Sequence, residues 1–100
     1  MSKGAVRVGD LASGHDCHFP ATPSIEGSTD VLVNGIPATR QGDAFGTHSC
    51  SKCDEPEHTR TLSEGSSTVF INGKPAGRMG DAISCGGTVS EGSASVIIGD

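Results

Sequence analysis

Tryptophan and tyrosine are absent from this sequence, phenylalanine occurs 3 times in 100 residues, and Leu, Ile, Val and Phe together number 19. That lies just under the roughly 20% below which a charged chain enters the compositional range of disorder. Fifteen glycines lift the nominal apolar count, but a glycine brings no side chain to a core. No apolar run exceeds three residues, as in Val96-Ile97-Ile98, so nothing approaches the roughly 20 residues of a membrane-spanning helix. No apolar stretch of leader length separates Met1 from Gly9-Asp10, which predicts synthesis in the cytoplasm without a signal peptide. A basic surplus is also missing. Seven Lys and Arg face 12 Asp and Glu, for a net charge of -5, and this excludes the electrostatic footprint of a nucleic-acid binder. The length allows one domain, residues 1–100.

A chain so poor in core-forming residues needs a staple. Four Cys and four His are available, and in a reducing cytoplasm such residues bind metal more often than they form structural disulfides.

Internal repetition turns the disorder expectation around. Glu26-Gly27-Ser28-Thr29-Asp30-Val31-Leu32-Val33-Asn34-Gly35 recurs as Glu64 to Gly73 and again as Glu91 to Asp100. A second unit, Pro37-Ala38-Thr39-Arg40-Gln41-Gly42-Asp43, recurs as Pro75 to Asp81, and Arg7-Val8-Gly9-Asp10 is its truncated first copy. Each unit is thus present three times, one cut short at each terminus. Val31 to Val33 and Val69 to Ile71 are short β-branched runs halted by Asn-Gly, which predicts two hairpins with type I′ tips at Asn34-Gly35 and Asn72-Gly73. Pro37 and Pro75 on the returning strands lack an N–H and belong at a sheet edge or strand start. Each Gly-Asp predicts a sharp turn with the Asp capping nearby N–H groups, and Arg40 and Arg78 are expected to lay their stems over the core and pair with Asp. No helical apolar period outlasts a turn. The expected fold is an all-β domain with a pseudo-threefold arrangement of short hairpins. One interval is longer by a polar, Pro-containing insert around Cys50 to Arg60, which reads as a loop.

Counting onward from each Gly-Asp, His15 and His48 lie five residues after Asp10 and Asp43, and Cys85 lies four residues after Asp81. Three repeats thereby deliver one nitrogen or sulfur donor each to the same topological place, which would fill three corners of a tetrahedron near the pseudo-threefold axis. A fourth donor must break the symmetry. His58, in the unique insert, is the first choice, with His18 and Cys17 as competitors. Zinc suits such a closed imidazole and thiolate set. Taken singly, His48 and His58 would be read as solvated loop residues and Cys85 as a small buried hydrophobe; the matching repeat positions favour metal. Cys50-Ser51-Lys52-Cys53 lacks the βαβ context of a thioredoxin-like motif, and Cys17, Cys50 and Cys53 are assigned no specific role. With no phosphate-binding loop, no paired carboxylates and little mass for a pocket, the chain is expected not to be an enzyme.

The repeated Asn-Gly-x-Pro-Ala-x-Arg-x-Gly-Asp, at Asn34 to Asp43 and Asn72 to Asp81, resembles the signature of the PAAR-repeat family, with Thr39 and Gly77 where the second Ala of the name would stand. Ser13-Gly14-His15 and Ser84-Cys85-Gly86-Gly87 add to the likeness, which spans nearly the whole chain. The resemblance implies a short pointed β cone seated on a trimeric β-helical spike, either the valine-glycine repeat spike of a type VI secretion system or the central spike of a contractile phage tail. It implies one structural zinc near the apex held by three His and one Cys, here His15, His48, His58 and Cys85. Its role would be mechanical: a membrane-piercing tip, exported on the contractile machine and able to carry a separate toxin effector. The chain starts close to its first repeat and ends soon after its last, which reads as a bare tip without an effector extension. The alternative from another class is a small zinc-dependent enzyme, which would keep one coordination position open.

Overall fold

In a computed structural model of the chain, residues 3–14, 21–48, 58–84 and 86–99 are described; at 48, 58 and 59 the description extends to the backbone alone. No helix occurs among them, and the strands are short and paired two by two. In chain order they are β1 (Lys3–Gly4), β2 (Leu11–Ala12), β3 (Thr22–Pro23), β4 (Leu32–Val33), β5 (Ile36–Pro37), β6 (Ala44–His48), β7 (His58–Thr61), β8 (Phe70–Ile71), β9 (Lys74–Pro75) and β10 (Ile97–Ile98).

The predicted hairpins are β4–β5 and β8–β9. Their tips carry the positive φ that a type I′ turn requires at both central residues: Asn34 55° and Gly35 77°, Asn72 54° and Gly73 79°. A third copy is assembled from the two truncated units. β10 pairs with β1, setting Ile98 opposite Lys3 and Ile97 opposite Gly4, as Val33 stands opposite Ile36 and Ile71 opposite Lys74. Lys3–Gly4 and Ile97–Ile98 therefore pair as the two strands of a continuous hairpin do in the other repeats.

Each repeat then makes a Gly-Asp turn, with φ of 98°, 92° and 90° at Gly9, Gly42 and Gly80, and enters a second antiparallel pairing. Leu11 opposes Pro23, Ala44 opposes Thr61, and Ala82 opposes Thr88. The end of the insert departs from the expected loop here: His58–Thr61 forms β7 against β6. Arg60 and Leu62 alternate into the interior while Thr61 is half-buried, so a period of two is present. It was hidden because its first buried member is a cation.

Closure around the axis is cyclic. The amides of Val6, Thr39 and Gly77 donate to the carbonyls of Gly77, Val6 and Thr39 at 3.1, 2.9 and 2.9 Å, a ring of three hydrogen bonds through three repeats. Bridges between Ala5 and Arg78, Arg7 and Ala38, and Arg40 and Ala76 make a second ring. Those between Ser24 and Phe45, Leu62 and Ile83, and Ala12 and Val89 make a third. The core divides into two layers along this axis. One holds Val33, Ile71 and Ile98 with Ala5, Ala38 and Ala76; the other holds Val6, Ala12, Phe45, Leu62, Ile83 and Val89. Three equal large side chains would collide on an axis, and the repeats solve this by dividing the volume unequally. Equivalent positions read Val6, Thr39, Gly77; Ala12, Phe45, Ile83; and Ser24, Leu62, Val89. A Cβ at Gly77 would stand 2.7 Å from Leu62 Cδ2 and 2.9 Å from the Thr39 carbonyl oxygen.

Candidate functional site

The conserved-looking letters of the repeat become three copies of one hydrogen-bonded frame. Arg40 donates from Nε and Nη2 to Asp43 at 2.7 and 3.0 Å, and its amide donates to the same carboxylate at 2.8 Å. Arg78 with Asp81 and Arg7 with Asp10 repeat the fork. The carboxylate hydrogen bond raises the Arg40 and Arg7 pKa above the ordinary arginine range, against the lowering effect of burial. Glu26, Glu64 and Glu91 each accept the amide that follows a turn Asp, from Ala44, Ala82 and Leu11. Ser28, Ser66 and Ser93 are buried and their hydroxyls accept the next turn's amides. The Arg and Asp residues thus frame the fold, as expected. Two ends of the axis remain for function.

At the hairpin end each repeat leaves two adjacent apolar residues in the open: Val31 with Leu32, Val69 with Phe70, and Val96 with Ile97. Leu32, Phe70 and Ile97 are 57%, 57% and 51% exposed, whereas their neighbours Val33, Ile71 and Ile98 are buried. The polar tips beside them are occupied within the chain: Asn34 accepts from Arg7 and Ser93 and donates to Ser95, and Asn72 accepts from Arg40 and Ser28 and donates to Asp30.

The opposite end closes on Arg60. Among the described residues it is the largest fully buried side chain, with none of its surface exposed. Its Nη1 donates to Thr22 Oγ1 at 3.1 Å and lies 3.4 Å from the Ala12 carbonyl oxygen; its Nη2 donates to the carbonyls of Gly86, at 3.0 Å, and Ser13. Thr22 and Gly87 are its equivalents in the other two repeats, so the unequal sharing of axial volume continues to this level.

His48 and His58 are direct cross-strand partners in the β6–β7 register. His15 and Cys85 lie outside the described residues, as do His18, Cys17, Cys50 and Cys53. Their flanks are described: Ser13 is tied to Thr88 through its amide at 2.7 Å, and the Ser84 amide reaches the Thr61 carbonyl at 2.9 Å. Among the described residues no three His, Cys, Asp or Glu side chains gather as a metal would need. Spacing nominates donor positions but says nothing of Arg60, because an Arg in a polar insert carries no signal of burial. Only its alignment with Thr22 and Gly87 could have revealed it.

A family model for the PAAR motif matches residues 44–91. That span contains the second complete Asn-Gly-x-Pro-Ala-x-Arg-x-Gly-Asp, and the threefold frame carries the same unit through the remainder of the chain. The match supports the likeness to the PAAR-repeat family that the repeated motif carries. No curated protein matches it. The PAAR motif fits a structural part at the spike tip of secretion or phage-like machinery, associated with a spike and exported with it. No helix among the described residues is long and apolar enough to cross a membrane.

Proposed function

We propose that this PAAR chain is the non-enzymatic tip of a type VI secretion spike, seated by its hairpin end on the blunt end of a trimeric valine-glycine repeat protein. The observation that carries this reading is the threefold repetition of Val31-Leu32, Val69-Phe70 and Val96-Ile97 as exposed apolar pairs. A single chain fits a homotrimer only if it offers the same class of side chain at three related positions, and a dehydrating apolar centre is what a stable interface uses. The neighbouring tip asparagines already have partners, which leaves docking to apolar contact. A rigid cyclic frame then transmits the thrust of sheath contraction to the other end. Mixing the chain with its cognate spike trimer should give one chain per trimer by light scattering, and Leu32→Asp with Phe70→Asp should abolish the complex while leaving the circular dichroism unchanged. A complex that survives both aspartates overturns the reading.

At the other end we assign one structural zinc to His15, His48, His58 and Cys85. Three imidazoles and a thiolate are a fitting donor set for a closed tetrahedral site, and the β6–β7 register supports it by setting His48 opposite His58. Bound there, zinc supplies a cross-link between segments that the thin core does not hold. Metal analysis should return about one zinc per chain, and Cys85→Ser or His48→Ala should cost several kcal/mol of folding free energy because site formation and folding are linked. A metal-free chain equally resistant to heat refutes this assignment.

A further inference from the structure

We propose that Arg60 is the positioning residue of the zinc ligand set; the proposal rests on the zinc assignment above. Its guanidinium gathers three separate stretches of chain. The carbonyls of Ala12 and Ser13 belong to the stretch that runs through Gly14 into His15, the Gly86 carbonyl directly follows Cys85, and the strand of Arg60 itself carries His58 two residues earlier, opposite His48. All four donor positions therefore hang from segments joined at one buried cation.

The chemistry of the residue explains why an arginine stands here. Carbonyl oxygens converging on an axis repel one another, and an apolar side chain would take from the Ser13 and Gly86 carbonyls the donor they have in Arg60. A guanidinium offers five N–H donors in a rigid planar fork, whereas an ammonium is a compact point charge on a flexible stem. The other two repeats make room for it. A Cβ at Gly87 would lie 2.9 Å from Arg60 Nη2 and 2.5 Å from the Ser13 carbonyl oxygen, and Thr22 turns its hydroxyl to Nη1 at 3.1 Å. Groups that orient metal ligands from behind commonly change metal affinity about 10–100-fold when they are removed.

The test compares wild type, Arg60→Met, Arg60→Lys and Ile71→Ala as full chains, using zinc competition against a chromophoric chelator and the absorption spectrum of the cobalt(II)-loaded protein. Ile71→Ala is the control, because it weakens the distant core layer without touching any Arg60 partner. Arg60→Met is expected to lower zinc affinity about 10–100-fold and to shift the cobalt ligand-field bands. Arg60→Lys should fall between Met and wild type, and Ile71→Ala should keep the wild-type spectrum. Should the Arg60 variants unfold without metal, the zinc concentration that restores their circular dichroism is read instead, and it should exceed that for Ile71→Ala. A wild-type spectrum and affinity in Arg60→Met, or an Ile71→Ala chain equally altered, overturns the positioning role alone. A wild-type chain that takes up no zinc overturns the assignment of the metal and this proposal together.

Discussion

Asp43, whose side chain is 1% exposed, accepts the Arg40 amide and both nitrogens of its fork. Removing that carboxylate would strand a largely buried guanidinium and a backbone amide at once. Asp43→Ala should therefore cost about 3 kcal/mol in urea denaturation, in the range for breaking one side of a buried pair. Asp10→Ala should cost less, because Arg7 keeps 20% of its side chain in water and can be resolvated. The pH dependence of these pairs has a definite sign. Hydrogen bonding to the carboxylates raises the folded-state pKa of Arg40 and Arg7, so their contribution is complete below the ordinary arginine range and is lost only as pH rises past the raised value. Between about pH 6 and 9 the arginine ends of these pairs should add no slope to stability, which urea titrations of wild type and Asp43→Ala across that window will check.

Within the elements, the hairpins were legible because Asn34-Gly35 and Asn72-Gly73 state their backbone angles locally, and the Gly-Asp turns likewise. The truncated units at the ends could be recognised as copies, but their pairing as β1 with β10 could not, since nothing local distinguishes a split hairpin from two frayed ends. β7 was missed for a related reason: its burial pattern depends on where Arg60 ends up in three dimensions. Counting from the turns nominated His15, His48 and Cys85 and the unique insert nominated His58, whereas no count pointed to the burial of Arg60. Unequal axial packing yields a prediction against the family name. Gly77→Ala would restore the second Ala of the motif, yet its Cβ would meet Leu62 Cδ2 at 2.7 Å and the Thr39 carbonyl oxygen at 2.9 Å. It should destabilise by about 1–3 kcal/mol, the usual cost of overpacking. Part of that loss should be recovered in a Leu62→Val background, giving a positive coupling in a double-mutant cycle. Strict additivity would mean that Leu62 is not what fills the axis at Gly77.

At the scale of the molecule, the scarcity of large apolar residues follows from how the interior is organised. The axis is lined by cyclic backbone hydrogen bonds and by side chains whose volume the three repeats share unequally, so a few side chains suffice to fill it, and several of the remaining large ones face outward at the hairpin end. That distribution predicts how docking energy is shared among the three corners. Leu32, Phe70 and Ile97 occupy equivalent positions and are similarly exposed, but an aromatic ring buries more surface and dominates interfaces more often than an aliphatic side chain. Alanine at Phe70 should weaken binding to the spike trimer more than alanine at Leu32 or Ile97, by about 2 kcal/mol or more against about 1. The chain's own stability should stay nearly unchanged in all three, since each side chain is about half exposed before docking. Calorimetric titration of each variant into the trimer, with thermal unfolding of the free chain alongside, measures both quantities. Three equal losses would point to a purely symmetric contact, and a loss confined to the free chain's stability would remove these residues from the interface.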